Sequence, residues 1–276
     1  MIEDLIAPRG PYRLRLMSRS GCWRGALADG STATAWQRPD GRVAVSAETE
    51  AGLERARFML ALDDDTAGFH RRFARDPLLG AAARTLTGYR PLRLATVAHA
   101  TLRAMCGQLV ESGRAASIER AILRRLGVGA ATRDSLARLS PADLRRHGLA
   151  SSRAATLVHL VRSLDLERLH GHETQVVLAR LCRERGVGPW SVGVIALEGL
   201  GRYDHGLVGD LGLVKLLTSL RGTPAEPRET AELLAPYEEW QGLAGQLLLL
   251  GWSRGLIPGA DPDLGRRARL RTKRAA

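Results

Sequence analysis

The chain has 276 residues, 45% of them hydrophobic, enough for one large domain or two ordinary ones around a sizeable core. A formal net charge of +12 points to a polyanionic partner, nucleic acid ahead of an anionic membrane surface. The three cysteines, Cys22, Cys106 and Cys182, are odd in number and widely spaced. They exclude a disulfide framework and a C-x-x-C pair, and they suit a reducing cytoplasm. The opening MIEDLIAPRG lacks a basic stretch before a long apolar one, so no signal peptide is expected, and no run is apolar enough for a transmembrane helix.

Residues 11–47 alternate in the manner of strands. YRLRLM, CWRGALA, STATAWQR and RVAVSA are separated by SRSG, ADG and RPDG, which are turn chemistry. ETEAGLERARFMLAL (48–62) reads as a helix with Leu53, Ala56, Met59 and Leu60 on one apolar face. Residues 62–77 read as a connector with a short helix. From Pro91 onward helix follows helix: ATVAHATLRAMCGQLVES, AASIERAILRRLG, SPADLRRHG, SSRAATLVHLVRSL, ETQVVLARLCRERG, GPWSVGVIALEG, DLGLVKLLTSL and EEWQGLAGQLLLLGW. Ser140 and Asp143 have capping-box spacing around Pro141 at a first helical position. The expected class is α+β, with a small β-rich domain over residues 1–88, an all-helical core over 89–260 and a basic tail over 261–276.

The stretch RERGVGPWSVGVIALEGLG joins two of these helices. Gly186 and Gly188 flank Val187 and permit a tight turn with positive φ, and Pro189 suits the first turn of the next helix. Such a helix start can bind an anion through free N–H groups, or it can be an ordinary αα-hairpin. Asp210 stands before another apolar run, at a position suited to an N-cap.

The order of helix, G-x-G hairpin, helix opening with Trp, loop and Asp resembles the helix-hairpin-helix DNA glycosylases. It is most similar to the 3-methyladenine DNA glycosylase II (AlkA-type) branch. TLRAMCGQLVES, LSPADLRRHGLASSRAATLVHLV and YEEWQGLAGQLLLLGW carry the same resemblance in three further segments. It implies a monofunctional glycosylase of base excision repair that flips alkylated purines such as 3-methyladenine out of double-stranded DNA and hydrolyses the N-glycosidic bond. On the matching positions, Asp210 is the catalytic carboxylate, Trp190 and Trp240 wall the substrate pocket, and Leu109 is the wedge. Gly186, Val187, Gly188 and Pro189 grip phosphate. A monovalent or divalent cation at the hairpin would sit on the backbone carbonyls of Cys182, Glu184 and Val187; none is needed for the chemistry. Arg183 and Arg185 flank the hairpin as phosphate partners or as helix-end charges, and His205 receives no role. A monomer acting in the cytoplasm is expected, with no membrane partner.

Two absences refine the implied activity. Bifunctional members use a lysine where Trp190 stands, and lysine occurs here only at Lys215 and Lys273, so no lyase activity is expected. No cysteine follows Cys182, which excludes the four-cysteine iron–sulfur cluster of some relatives. Three departures bear on substrate range: no proline precedes Asp210 in DHGLVGD, Val194 replaces a pocket tyrosine, and Gln241 follows Trp240 where arginine is common. The alternative functions are a non-catalytic helix-hairpin-helix DNA-binding protein and, on charge alone, a binder of acidic surfaces.

Overall fold

In the computed structural model, which describes residues 1–18 and 21–262, β1 (Ile2–Ile6), β2 (Cys22–Ala26), β3 (Thr32–Gln37) and β4 (Val43–Ala47) form one antiparallel sheet in the order β1-β4-β3-β2. The three later strands lie where alternation places them. The first does not. YRLRLM was expected to be a strand, but Leu14–Leu16 is a 3₁₀ turn and Ile2–Ile6 takes the edge beside β4, with Ile2 opposite Ala47. Gln37 substitutes for a ladder there: its Oε1 accepts from the Leu14 N–H at 2.9 Å and its Nε2 donates to the Tyr12 carbonyl at 3.0 Å. The alternation of Tyr12 and Leu14 reflects burial in the small core without strand pairing.

Helix α1 (Glu50–Met59) covers the sheet, capped by Thr49, whose side chain accepts from the Gly52 N–H. The chain then passes through α2 (Ala67–Phe73) and α3 (Gly80–Thr85) into the helical body. That body comprises α4 (Val97–Gly107), α5 (Ser112–Leu126), α6 (Arg133–Ala137), α7 (Pro141–Arg146), α8 (Ser151–Ser163), α9 (Thr174–Leu181), α10 (Pro189–Val194), α11 (Leu211–Arg221), α12 (Glu229–Leu234) and α13 (Gln241–Ser253). The Ser140–Asp143 capping box forms as its spacing requires, and Thr132 and Ser135 form a second at α6. After α10 the chain widens into a π-helical segment, Ile195–Leu200. There Gly199 allows close approach to α4: a Cβ at that position would lie 2.8 Å from the Ala100 Cβ.

Two apolar clusters organise the molecule, and they do not divide at residue 88. Phe69, Phe73, Leu79 and Leu86 belong to the helical cluster, while the sheet cluster ends at Leu62 apart from Ala95 and Ala130. Two buried arginines hold the seam. The Arg90 guanidinium lies 4.9 Å from the Tyr12 ring and donates to the carbonyls of Arg9, Pro11 and Ala61. Arg93 pairs with Asp64, whose carboxylate also accepts from the Tyr203 hydroxyl at 2.5 Å. The tail expected over residues 261–276 lies outside the described residues beyond Pro262. Among the described residues no helix is long and apolar enough to cross a membrane, and the three cysteines are free.

Candidate active site and nucleic-acid interface

Helices α9 and α10 form the hairpin. Its turn needs one glycine for conformation: Gly186 sits at φ +86, and a Cβ there would lie 2.6 Å from the Thr156 hydroxyl. Gly188, expected to share that role, instead has φ −101 and ψ 176, extended backbone open to any residue. A Cβ on Gly188 would meet nothing within 4 Å. The fold therefore does not require glycine at 188; a close approach from outside would.

Pro189 opens α10 as expected, and the first bond of the helix runs from the Val192 N–H to the Gly188 carbonyl at 3.1 Å. The N–H groups of Trp190 and Ser191 are thus left without a helical acceptor. Val187 faces inward. Its side chain is in the helical core and its N–H donates to the Glu184 carbonyl at 3.1 Å, so the residue supports the turn and has no N–H to offer a phosphate. Arg183, Arg185 and Gly186 are exposed. The Arg185 carbonyl accepts from Thr156 at 3.1 Å and the Gly186 carbonyl from Gln108 at 2.8 Å. The Glu184 carboxylate turns to Arg180 and His159, which hold its pKa below the usual range. Cys182, ending α9, is exposed.

Asp210 is brought to the hairpin. It caps α11, its Oδ1 accepting from the N–H groups of Gly212 at 2.8 Å and Leu213 at 3.2 Å. Its Oδ2 accepts from the Trp190 indole Nε1–H at 3.0 Å. Both readings of Asp210, cap and site carboxylate, are therefore compatible in one side chain. The carboxylate is half-buried, and three of its roughly four acceptor positions are taken by neutral donors. Among the described residues it forms no ion pair. Its charge is oriented without being balanced by a cation.

The two tryptophans expected to wall one pocket are engaged differently. Trp190 uses its indole N–H on Asp210, and its ring lies over Gly107, where a Cβ would approach Cη2 to 2.6 Å. Trp240 borders an open cavity of about 600 Å³ lined also by Glu173, Thr174, Arg202, Tyr203, Asp204 and Glu239. Its ring stacks on Tyr203 with centroids 5.8 Å apart and planes at 26°. Tyr203, bonded to Asp64 at the seam, was not singled out by the sequence. Val194 is buried in the core, Gln241 is half-buried beside Gly206, and His205 contacts the Pro189 carbonyl at 3.3 Å, burial pushing its pKa down.

Leu109 stands out by exposure and backbone together. It follows α4, is 82% exposed and has φ +51, a left-handed conformation that branched side chains rarely adopt. It is therefore not part of the apolar core at the end of α4. Two supports lie outside the sequence reading: Gln108, one residue before Leu109, and Thr156 under the turn.

No protein-family model matches the chain. It is 31% identical over 205 residues to a probable bifunctional transcriptional activator/DNA repair enzyme AlkA of Mycobacterium tuberculosis, covering 70% of this chain and 41% of that protein. The chain thus spans less than half the length of that relative. It is 24% identical over 200 residues to a DNA-3-methyladenine glycosylase of Bacillus subtilis, covering 66% of each. Among solved structures, a 3-methyladenine DNA-glycosylase from Archaeoglobus fulgidus superposes with a TM-score of 0.75 at 17% identity, over 92% of this chain and 98% of that one. An 8-oxoguanine glycosylase/lyase of Clostridium acetobutylicum, in complex with double-stranded DNA, gives 0.70 at 19% identity over 86% of each. In sequence the chain is thus similar to an AlkA-named DNA repair enzyme and to a DNA-3-methyladenine glycosylase, and its fold is that of the solved DNA glycosylases.

Proposed function

We propose that the chain is a monofunctional glycosylase that flips alkylated purines out of duplex DNA and hydrolyses their N-glycosidic bond. The observation that carries this reading is the Asp210 carboxylate, fixed from two sides by the α11 N-terminus and the Trp190 indole beside the hairpin. Breaking an N-glycosidic bond develops oxocarbenium character on the sugar. A preoriented carboxylate without a paired cation stabilises that charge as it forms, and the open acceptor position on Oδ2 suits the attacking water. A base that already carries a positive charge departs as a neutral leaving group, so no general acid is required.

The surrounding parts fit the same sequence of events. The turn at Gly188 and the N–H groups of Trp190 and Ser191 receive a phosphate without reading sequence. Leu109 enters the duplex and fills the gap left by the extruded base. The Trp240–Tyr203 stack is edged by Glu173, Asp204 and Glu239, while the Arg202 guanidinium is turned to the carbonyls of Leu169, His170 and His172, so the cavity favours an electron-poor, cationic ring. A hard cation on the carbonyls of Cys182, Glu184 and Val187 belongs to this proposal too. Neutral oxygens suit such an ion, whose charge would support phosphate binding, and the Glu184 carbonyl, which accepts from the Val187 N–H, keeps a second lone pair for it. The protein acts as a monomer on cytoplasmic DNA.

The test is incubation with methylated duplex DNA. Strand breaks that form only after alkali, with no adduct trapped by borohydride, are the expected result, since Trp190 stands where a Schiff-base lysine would have to be. Nicking without alkali, or a trapped adduct, would overturn the monofunctional assignment; no release at all would overturn the glycosylase reading.

A further inference from the structure

Gln108 touches no reacting group, yet it joins two parts of the site that have to move as one. Its Nε2 donates to the Gly186 carbonyl and to the Ser191 hydroxyl, both at 2.8 Å. A backbone carbonyl only accepts, so the amide nitrogen must face it. The side chain thus spans from the end of α4 to the hairpin turn and the first turn of α10. The next residue is Leu109 at φ +51, a strained conformation that persists only where neighbours impose it. The backbone bond closing this turn, from the Val110 N–H to the Gly107 carbonyl, is long at 3.4 Å. What imposes the conformation is the flanking pair: Gly107 packed under Trp190, and Gln108 tied to Gly186 and Ser191. The far anchor is equally constrained, because Gly186 has its own positive φ and rests on Thr156.

We infer that Gln108 is a positioning residue that sets the wedge Leu109 at a fixed height above the hairpin, so that engagement of phosphate by the turn drives Leu109 into the duplex. The inference rests on the reading of Leu109 as a wedge and the hairpin as a DNA grip. Without the amide the turn still binds backbone phosphate, but the wedge no longer advances with it.

The experiment compares wild type, Gln108→Met, Leu109→Ala and the double variant. Methionine keeps the length of the side chain and removes the donor. Loss of two hydrogen bonds should slow single-turnover excision on methylated duplex DNA about tenfold, while affinity for undamaged duplex at one fixed salt concentration stays within about twofold. If Gln108 acts through Leu109, the double variant excises no more slowly than Leu109→Ala. In the free protein, backbone order parameters of Leu109 and Gly186 should fall together in Gln108→Met. Additive losses in the double variant, or loosening at Leu109 with Gly186 unchanged, overturns the proposal. A wild-type protein that excises nothing overturns the glycosylase reading; coupled loosening of the two turns then still establishes the strut.

Discussion

Around Glu119 the protein sets basic side chains against a carboxylate, whereas Asp210, among the described residues, is held by neutral donors alone. Glu119, on α5, is buried and accepts from His99 Nε2 at 3.0 Å and Arg103 Nη2 at 2.9 Å. Arg103 continues to Glu198 on the π segment at 2.7 Å, so the network ties α4, α5 and the segment after α10 together. Burial pushes the Glu119 carboxyl up, but the His99 hydrogen bond and the Arg103 charge outweigh it and hold the group at about 2. Asp210 receives three hydrogen bonds, all from neutral N–H groups. Charge inside a fold is tolerated when matched. A carboxylate that must stabilise a cation forming on a substrate has to be held firmly and left unmatched. The two regions show both solutions, and a buried acid is not by itself a catalytic one.

Removal of each carboxylate should separate the two roles. Asp210→Asn keeps an oxygen for the N-cap but turns its NH2 towards the Trp190 indole N–H and loses the charge, so the protein still folds at a cost of about 1–3 kcal/mol. Excision should fall by about 10²–10³-fold or more, the scale on which preorganised charge contributes. Single-turnover release from methylated duplex DNA, read beside thermal unfolding, checks both halves. Near-wild-type release would remove Asp210 from the chemistry.

Glu119→Gln should do the reverse. Breaking a buried pair costs ~3–5 kcal/mol, and the partial exposure of Arg103 lowers the expectation to roughly 2–4 kcal/mol. Excision measured well below the unfolding midpoint should stay near wild type. The pH dependence has a definite sign. A folded pKa below the ordinary 4.5 stabilises above that value, and the contribution is lost as pH falls from 4.5 towards about 2. Denaturant titrations should show wild type losing this increment over that window and the variant not.

Trp190→Phe sharpens the contrast further: it keeps an aromatic ring at the start of α10 and deletes the donor to Asp210, together with the outer ring edge that packs on Gly107. One hydrogen bond to a charged group is worth ~1.5–3 kcal/mol, an upper bound here since water can replace the indole. Excision should drop about tenfold with DNA affinity unchanged. An equal loss in binding would mean that Trp190 serves the DNA interface and not the carboxylate.

How much of this was legible in sequence depends on whether the relevant signal was local. Helices with clear apolar faces, the Ser140–Asp143 box, Pro189 and the Asp210 cap are set by neighbours a few residues away, and all lie where spacing puts them. YRLRLM was misread because burial of Tyr12 and Leu14 mimics strand alternation, while the true edge strand is chosen by pairing with β4 across more than thirty residues. Arginine was read as charge for a polyanion, yet Arg90 and Arg93 are buried cement between the two clusters. The hydrogen bond from Trp190 to Asp210 and the Gln108 bridge join residues 20 and 83 positions apart or nearly so, with no pattern in the chain to announce them.

The smallest effects concern the two hairpin glycines, which look equivalent in sequence and differ in structure. Gly186 serves the fold. Alanine there must hold φ +86 with its Cβ against Thr156, so Gly186→Ala should destabilise by ~1–2 kcal/mol and lower the unfolding midpoint by several degrees. Gly188 serves no internal contact, and its extended backbone suits a β-branched residue, so Gly188→Val should change stability by less than ~0.5 kcal/mol. If a phosphate approaches there, the added side chain obstructs it. Affinity should then fall by the same few-fold factor on damaged and undamaged duplexes, because phosphate contacts carry no sequence information. Fluorescence anisotropy on matched duplexes at one salt concentration makes the comparison. A stable Gly188→Val protein that binds both duplexes normally would reduce the hairpin to a turn between helices and leave Asp210 without its grip on DNA.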